Sequence, residues 1–258
     1  MRRLVLVVLF LAISVPAFAQ AMPQAKYTWI RYFTVERGRE ADFMRSVREF
    51  DKPMFERLLA NKSALDWGLA IPLTMDNTDP WTHVIWVGVA NWAGVESLVR
   101  DIETNNARMT PDRQKLMAEL DTAVRPGSIR DVVLRHLVQS ETMPAAAPKY
   151  IQVDTYVIKP GRHSDAVALF KEWAVPMFVM DAVKARVGPW GLSMQDFPTG
   201  APWTHMVWTF MSDLSARDAM DAASAGVDPR KLQGFEVRLR DMSEMDKQRS
   251  QIARIITP

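Results

Sequence analysis

Cysteine is absent from the 258 residues. That excludes disulfides, thiol catalysis, zinc ribbons, iron–sulfur clusters and lipid attachment through a thiol. Charge of one sign is scarce too, since 32 Lys+Arg face 30 Asp+Glu. A formal +2 excludes both a strongly basic nucleic-acid binder and a strongly acidic chain. No apolar run beyond the first twenty residues approaches the roughly 20 residues of a membrane span. Compact catalytic signatures are missing as well. The sequence has no H-E-x-x-H, no H-x-H, no G-x-G-x-x-G, no P-loop and no G-x-S-x-G. What remains is ordinary globular composition, 48% hydrophobic and 24% charged. The length suits one large domain or two of about 110 residues.

Residues 1–19 carry the pattern of an export signal. Arg2 and Arg3 precede an apolar run from Leu4 to Val15, and Ala17-Phe18-Ala19 is an A-x-A cleavage site. Pro16 breaks the run just before that site. Cleavage after Ala19 would remove two basic residues and no acid, leaving 30 basic against 30 acidic. The expectation is a periplasmic or secreted protein that binds a small molecule. No nucleic acid partner is expected, nor a membrane after cleavage, and homo-oligomers are compatible with the sequence. An exported chain without cysteine fits the periplasm better than a disulfide-stapled secretory setting.

The strongest signal is an internal duplication. Lys26–Leu69 aligns without a gap on Lys149–Leu192, and 12 of the 44 positions are identical, against roughly two or three by chance. The identities include Gly38/Gly161, Arg39/Arg162, Asp42/Asp165, Glu49/Glu172, Pro53/Pro176 and Trp67-Gly68-Leu69/Trp190-Gly191-Leu192. One residue is then lost, and Pro80-Trp81-Thr82-His83 meets Pro202-Trp203-Thr204-His205. The segment 141–148, with two prolines and small residues, reads as a linker between repeats at 26–140 and 149–258.

Each copy reads β-α-β-β-α-β. A strand at Tyr27–Val35 or Tyr150–Ile158 leads into a helix, whose Phe43, Val47, Phe50 and Met54 form one stripe in the first copy. Pro53 and Pro176 should kink or restart that helix, because proline cannot bond the carbonyl four residues back. Glu49 and Glu172 sit four residues before these prolines, where freed carbonyls could face a pocket, although a Glu so placed is more often solvated. A short strand around Trp67 or Trp190 follows, then a strand at Trp81–Ala90 or Trp203–Met211. A second helical region covers 92–123 and 213–246, and last strands fall at Ile129–Val138 and Gln251–Thr257.

This order is the ferredoxin-like split βαβ, an antiparallel sheet with both helices on one face. Its open face needs a second sheet. Here the chain resembles the dimeric α+β barrel superfamily in a tandem form, with one polypeptide supplying both halves packed sheet to sheet. In the first strands, Ile151, Val153, Thr155 and Val157 are expected against the helices. Gln152, Asp154, Tyr156 and Ile158, matching Trp29, Arg31, Phe33 and Val35, are expected between the sheets. That placement would let Arg31 and Asp154 pair across the barrel, or leave them as unrelated surface charges.

Candidate chemistry rests on the histidines. Of His83, His136, His163 and His205, only His83 and His205 sit at equivalent positions. Alternation places His83 with Ile85 and Val87, and His205 with Val207 and Thr209. The resemblance implies a pocket between sheet and helices, where such histidines could serve as acid/base catalysts or axial ligands. The competing reading is a buried, hydrogen-bonded corner kept in both copies for folding. Trp81 and Trp203 are candidate ligand-binding residues, whereas Trp67/Trp190 and Trp86/Trp208 read as core. No metal-ligand spacing is present. Three functions follow: a barrel binding a small apolar or aromatic molecule; a cofactor-free oxygenase, isomerase or cyclase; or a haem protein. The last is implied by the resemblance to chlorite dismutases and dye-decolourising peroxidases, with no haem motif beyond the histidines. The cofactor expectation is therefore none, with haem as the alternative.

Overall fold

The alternating apolar residues of each copy form four strands in the computed structural model, which describes residues 24–73, 80–140, 147–197 and 200–256. The signal expected at 1–19 and the first six residues of the 141–148 linker lie outside that set. Copy one supplies β1 (Tyr27–Phe33), β2 (Asp66–Pro72), β3 (His83–Val89) and β4 (Arg130–Gln139). Copy two supplies β5 (Tyr150–Tyr156), β6 (Val187–Gln195), β7 (His205–Met211) and β8 (Arg249–Ile256). All pairings are antiparallel, and the order β1-β3-β2-β8-β5-β7-β6-β4 closes a barrel. The sheets therefore do more than face each other. Their edges pair, Leu69 with Ile256 through Pro72 with Ala253 on one side, and Leu134 with Gln195 through Gln139 with Gly191 on the other. Closure removes the open edges that two separate sheets would expose.

The helices lie outside the barrel: α1 (Glu40–Ser46), α2 (Lys52–Ala60), α3 (Trp92–Ala107) and α4 (Pro111–Asp121) in copy one. In copy two they are α5 (His163–Phe178), α6 (Asp181–Lys184), α7 (Ser215–Ala225) and α8 (Pro229–Met242). Copy one packs Trp29, Phe33, Phe43, Phe55, Ile85 and Val87 between sheet and helices. Copy two packs Phe170, Phe178, Trp190, Leu192 and Met211 there. A third core, with Ile30, Tyr32, Val84, Val132, Leu134 and Met206, fills the barrel.

The strand faces are the reverse of the expectation. Trp29, Phe33 and Val35 face the helices, as do Tyr156 and Ile158. Ile151, Val153 and Val157 point into the barrel with Ile30 and Tyr32. Both faces are buried in a closed barrel flanked by helices, so alternation shows that there are two faces without showing which is which. Arg31 and Asp154 consequently do not meet. Arg31 grips Asp131 on the neighbouring strand through two bonds of 2.7 and 2.6 Å, and Asp154 accepts from Gln152 Nε2 at 2.9 Å.

Several duplicated residues turn out to be architecture. The Trp86 indole lies where a side chain at Gly68 would stand, and a Cβ at Gly191 would come within 2.6 Å of Trp208 Cζ2. Arg39 pairs with Asp42 at 2.6 Å at the start of α1, and Arg162 pairs with Asp165 at the start of α5. The prolines are absorbed differently in the two copies. Before Pro53 the chain widens into a π-turn, Val47–Asp51, and restarts as α2; Arg113 Nη2 donates to the freed Glu49 carbonyl at 3.0 Å. Pro176 stays inside α5, which ends two residues later at Phe178.

Candidate functional site

The predicted histidines occupy matching corners. Thr82 N–H donates to the Phe33 carbonyl at 2.8 Å, Thr82 Oγ1 accepts from Val35 N–H at 2.7 Å, and Oγ1 lies 2.9 Å from His83 Nδ1. Copy two repeats this: Thr204 N–H to the Tyr156 carbonyl at 2.8 Å, Ile158 N–H to Thr204 Oγ1 at 2.8 Å, and Oγ1 at 2.9 Å from His205 Nδ1. Each corner ties the end of a first strand to the start of a third. His83 packs on the Phe43 ring with centroids 4.5 Å apart, and His205 stacks on His163 at 5.0 Å. Burial pushes the His83 pKa down to about 4, against the pull of Glu40; burial and His163 bring His205 to about 4. Both rings are thus neutral near pH 7.

His136, set aside in the sequence because it has no repeat partner, sits in a polar cluster. Its Nδ1 lies 2.6 Å from Ser193 Oγ and its Nε2 lies 2.8 Å from Thr28 Oγ1, while Trp208 Nε1 donates to Ser193 Oγ at 2.9 Å. The Ser–His contact has the geometry of a nucleophile and its base. Ser193 is fully buried and lines neither of the cavities described below.

A cavity of about 190 Å³ does open between the copy-one sheet and its helices. Its walls are aromatic, with Trp29, Phe33, Phe43, Phe50 and Phe55, and its polar groups are Arg31, Ser46, Asp51, Asp121, Asn105 and Asn106. Asp51 ends the π-turn, a backbone irregularity frequent at functional sites. Burial pushes its carboxyl up to about 7; Arg31 pulls the other way and Asp121 adds like-charge repulsion. Burial raises Asp121 as well. Arg31 lies over the Trp29 ring at 4.7 Å while held by Asp131, so its guanidinium is fixed in orientation. Copy two has no counterpart to this set. Ala174 stands where Asp51 is, and Gln152 and Asp154 replace Trp29 and Arg31. A sequence search keyed to the duplication passes over Asp51 for that reason; the signal that could have found it is an acid two residues before a helix proline.

Trp81 and Trp203 line a second cavity, of about 250 Å³, at one end of the barrel interior. Neither His83 nor His205 lines this cavity or the first. Among the described residues, no cluster of three or more His, Asp or Glu is placed to hold a metal ion, and no helix is long and apolar enough to cross a membrane.

No family profile matches the chain, and no curated protein does. Solved structures of like shape exist. A "putative monooxygenase" from Fusobacterium nucleatum subsp. nucleatum is 8% identical with a TM-score of 0.60, covering 92% of this chain and 94% of its own. A second, from Lactobacillus acidophilus, is 8% identical with a TM-score of 0.53, covering 90% and 94%. The chlorite dismutase from Candidatus Nitrospira defluvii in complex with imidazole is 10% identical with a TM-score of 0.52, covering 92% and 94%. Identities this low make the likeness one of fold.

Haem, which the resemblance implies, is tested by the residues themselves. An axial histidine facing a cavity is needed in the histidine-ligated haem proteins, and no histidine lines either one. Both volumes also fall below the roughly 300–1,000 Å³ of pockets for drug-sized ligands. Neither of these two cavities therefore offers a histidine axial ligand.

Proposed function

We propose that this chain, a dimeric α+β barrel with both halves in one polypeptide, binds a small single-ring molecule in the copy-one cavity and exchanges a proton with it through Asp51. The observation that carries the reading is the Asp51 carboxyl at the end of a π-turn, lining a cavity walled by aromatic rings, where burial pushes its pKa up to about 7. A cavity of about 150 Å³ holds benzene, so 190 Å³ suits one ring with a polar substituent. A general base works best with a pKa near the working pH. Asp51 is tuned to that range by desolvation, and Arg31, Asn105 and Asn106 offer donors to a ring oxygen. Taking a proton from a ring hydroxyl, or from carbon beside a carbonyl, leaves an electron-rich anion. Isomerisation, cyclisation and cofactor-free oxygenation share that first step, and the monooxygenase names of two fold neighbours support the last of them. His83 and His205 act in this reading as corner posts.

Titration with phenol tests the site. The expected result is 1:1 binding with a Kd of about 1 mM or tighter, abolished by Ile102→Trp, which fills the cavity, and with a pH dependence near 7 that Asp51→Asn removes. Phenol binding that ignores both substitutions would overturn the reading. We also propose that the protein is exported. The charged, apolar and A-x-A segments of residues 1–19 support this, and N-terminal sequencing of the mature chain should begin at Gln20. A mature chain that starts at Met1 contradicts it.

A further inference from the structure

His205 is a corner post through its Nδ1 alone, and its other ring nitrogen faces a partner that copy one does not have. Position 163, the first residue of α5, is the repeat equivalent of Glu40, the first residue of α1. A helix N-terminus favours an acid at that place, yet copy two carries a histidine. Its ring stacks on His205 with centroids 5.0 Å apart and an interplanar angle of 24°. His163 Nδ1 lies 3.3 Å from His205 Nε2. In copy one, His83 packs on the Phe43 ring and has the Glu40 charge nearby instead of a second imidazole.

The Thr204 hydroxyl decides which nitrogen of His205 carries the proton. Its oxygen accepts from Ile158 N–H at 2.8 Å, and lies 3.2 Å from the Tyr156 carbonyl and 2.9 Å from His205 Nδ1. A carbonyl can only accept. All three contacts are hydrogen bonds together only when the hydroxyl donates to Tyr156 and accepts from His205 Nδ1–H. Nε2 is then a bare lone pair turned towards His163. A ring N–H held by a fixed acceptor is the arrangement that orients a metal-ligating histidine. The spacing fits as well. Two imidazole nitrogens bound to one cation at about 2.0–2.1 Å stand roughly 2.9–3.4 Å apart, from a right-angled to a tetrahedral arrangement. The observed 3.3 Å falls at the tetrahedral end.

We propose that His163 Nδ1 and His205 Nε2 form a two-histidine site for a divalent transition metal of the copper or zinc type. The proton on His163 Nδ1 moves to its Nε2, so both rings stay neutral and the cation takes the place of the N–H between them. His205 is 1% exposed whereas His163 is exposed, so the cation enters from the His163 side. The neighbouring Arg162 is paired with Asp165 and Asp241, which offsets its charge beside the site. Among the described residues no third His, Asp or Glu completes the set, so water fills the remaining positions.

Calorimetry of the untagged full chain with copper(II) chloride and with zinc chloride at neutral pH tests this. Copper should bind 1:1 and more tightly than zinc, following the usual order at nitrogen ligands, and should raise the melting temperature of the wild type. His163→Gln, at an exposed side chain, should weaken copper at least tenfold while leaving the metal-free melting temperature near that of the wild type. His205→Gln should weaken it equally. Electron paramagnetic resonance of the copper-loaded wild type should show splitting from two nitrogens, reduced in His163→Gln. Copper held as tightly by His163→Gln as by the wild type sits elsewhere, for instance at the chain's amino terminus, and overturns the proposal. If His205→Gln fails to fold, His163→Gln alone decides.

Discussion

Asp51→Asn should make the protein more stable at pH 8 and less able to handle its ligand. In the unfolded chain Asp51 ionises near its ordinary 3.8, while in the fold burial holds the proton on until about 7. The native state therefore binds more protons between those values, and stability is lost as pH rises through the window. The span of about three units corresponds to an upper limit of about 4 kcal/mol. Asp51 is only partly buried, so water at the cavity should reduce this to roughly 1–3 kcal/mol. Asparagine keeps the shape and carries no charge to desolvate. Thermal denaturation from pH 4 to 8.5 should show the variant melting about 2–12 °C higher at pH 8, at roughly 2–4 °C per kcal/mol for a chain of this size, with the curves converging below pH 4. A constant difference across the range, or a variant less stable at pH 8, would refute the account of Asp51 as a desolvated carboxyl. Stability gained where function is lost is the usual signature of a strained active site.

Gly68→Ala and Gly191→Ala should each cost about 1–3 kcal/mol in urea denaturation, because the added methyl meets the indole of Trp86 or Trp208; wild-type midpoints would show the indoles can move aside. Thr82→Val and Thr204→Val strand the N–H groups of Val35 and Ile158 and should each cost about 1–3 kcal/mol, read by the same assay. The pKa values of His83, His136 and His205 are held down to about 4, chiefly by burial. Their native rings stay neutral while unfolded ones protonate below about 6.5, so stability should fall as pH drops from 6.5 to 4. Asp51→Asn removes the opposing carboxyl and should steepen that fall; NMR titration of the imidazoles checks the pKa values directly.

The duplication made the barrel legible, because each copy repeats the residues that its corners need. Thr82-His83 and Thr204-His205 bond the backbone, Gly68 and Gly191 make room for indoles, and Arg39–Asp42 and Arg162–Asp165 start helices. Repetition therefore marks architecture, and the histidines drew notice through it. The strand faces were not legible. Ile30 and Trp29 are both buried, one inside the barrel and one beneath the helices, and apolar alternation is silent about which core is which. The candidate site was missed for the opposite reason. Asp51 has no counterpart in copy two, and its chemistry depends on a π-turn that only the fold of the first copy makes. Pro53 marks the break in the helix, and the Glu49 carbonyl there accepts from Arg113 Nη2 at 3.0 Å.

The most direct test of the central claim is a crystal soaked with 4-bromophenol and measured at the bromine absorption edge. The account predicts an anomalous peak in the copy-one cavity, with the phenol oxygen within hydrogen-bonding distance of Asp51. A well-ordered crystal with no bromine there, or with bromine only at the barrel end beside Trp81 and Trp203, would contradict it.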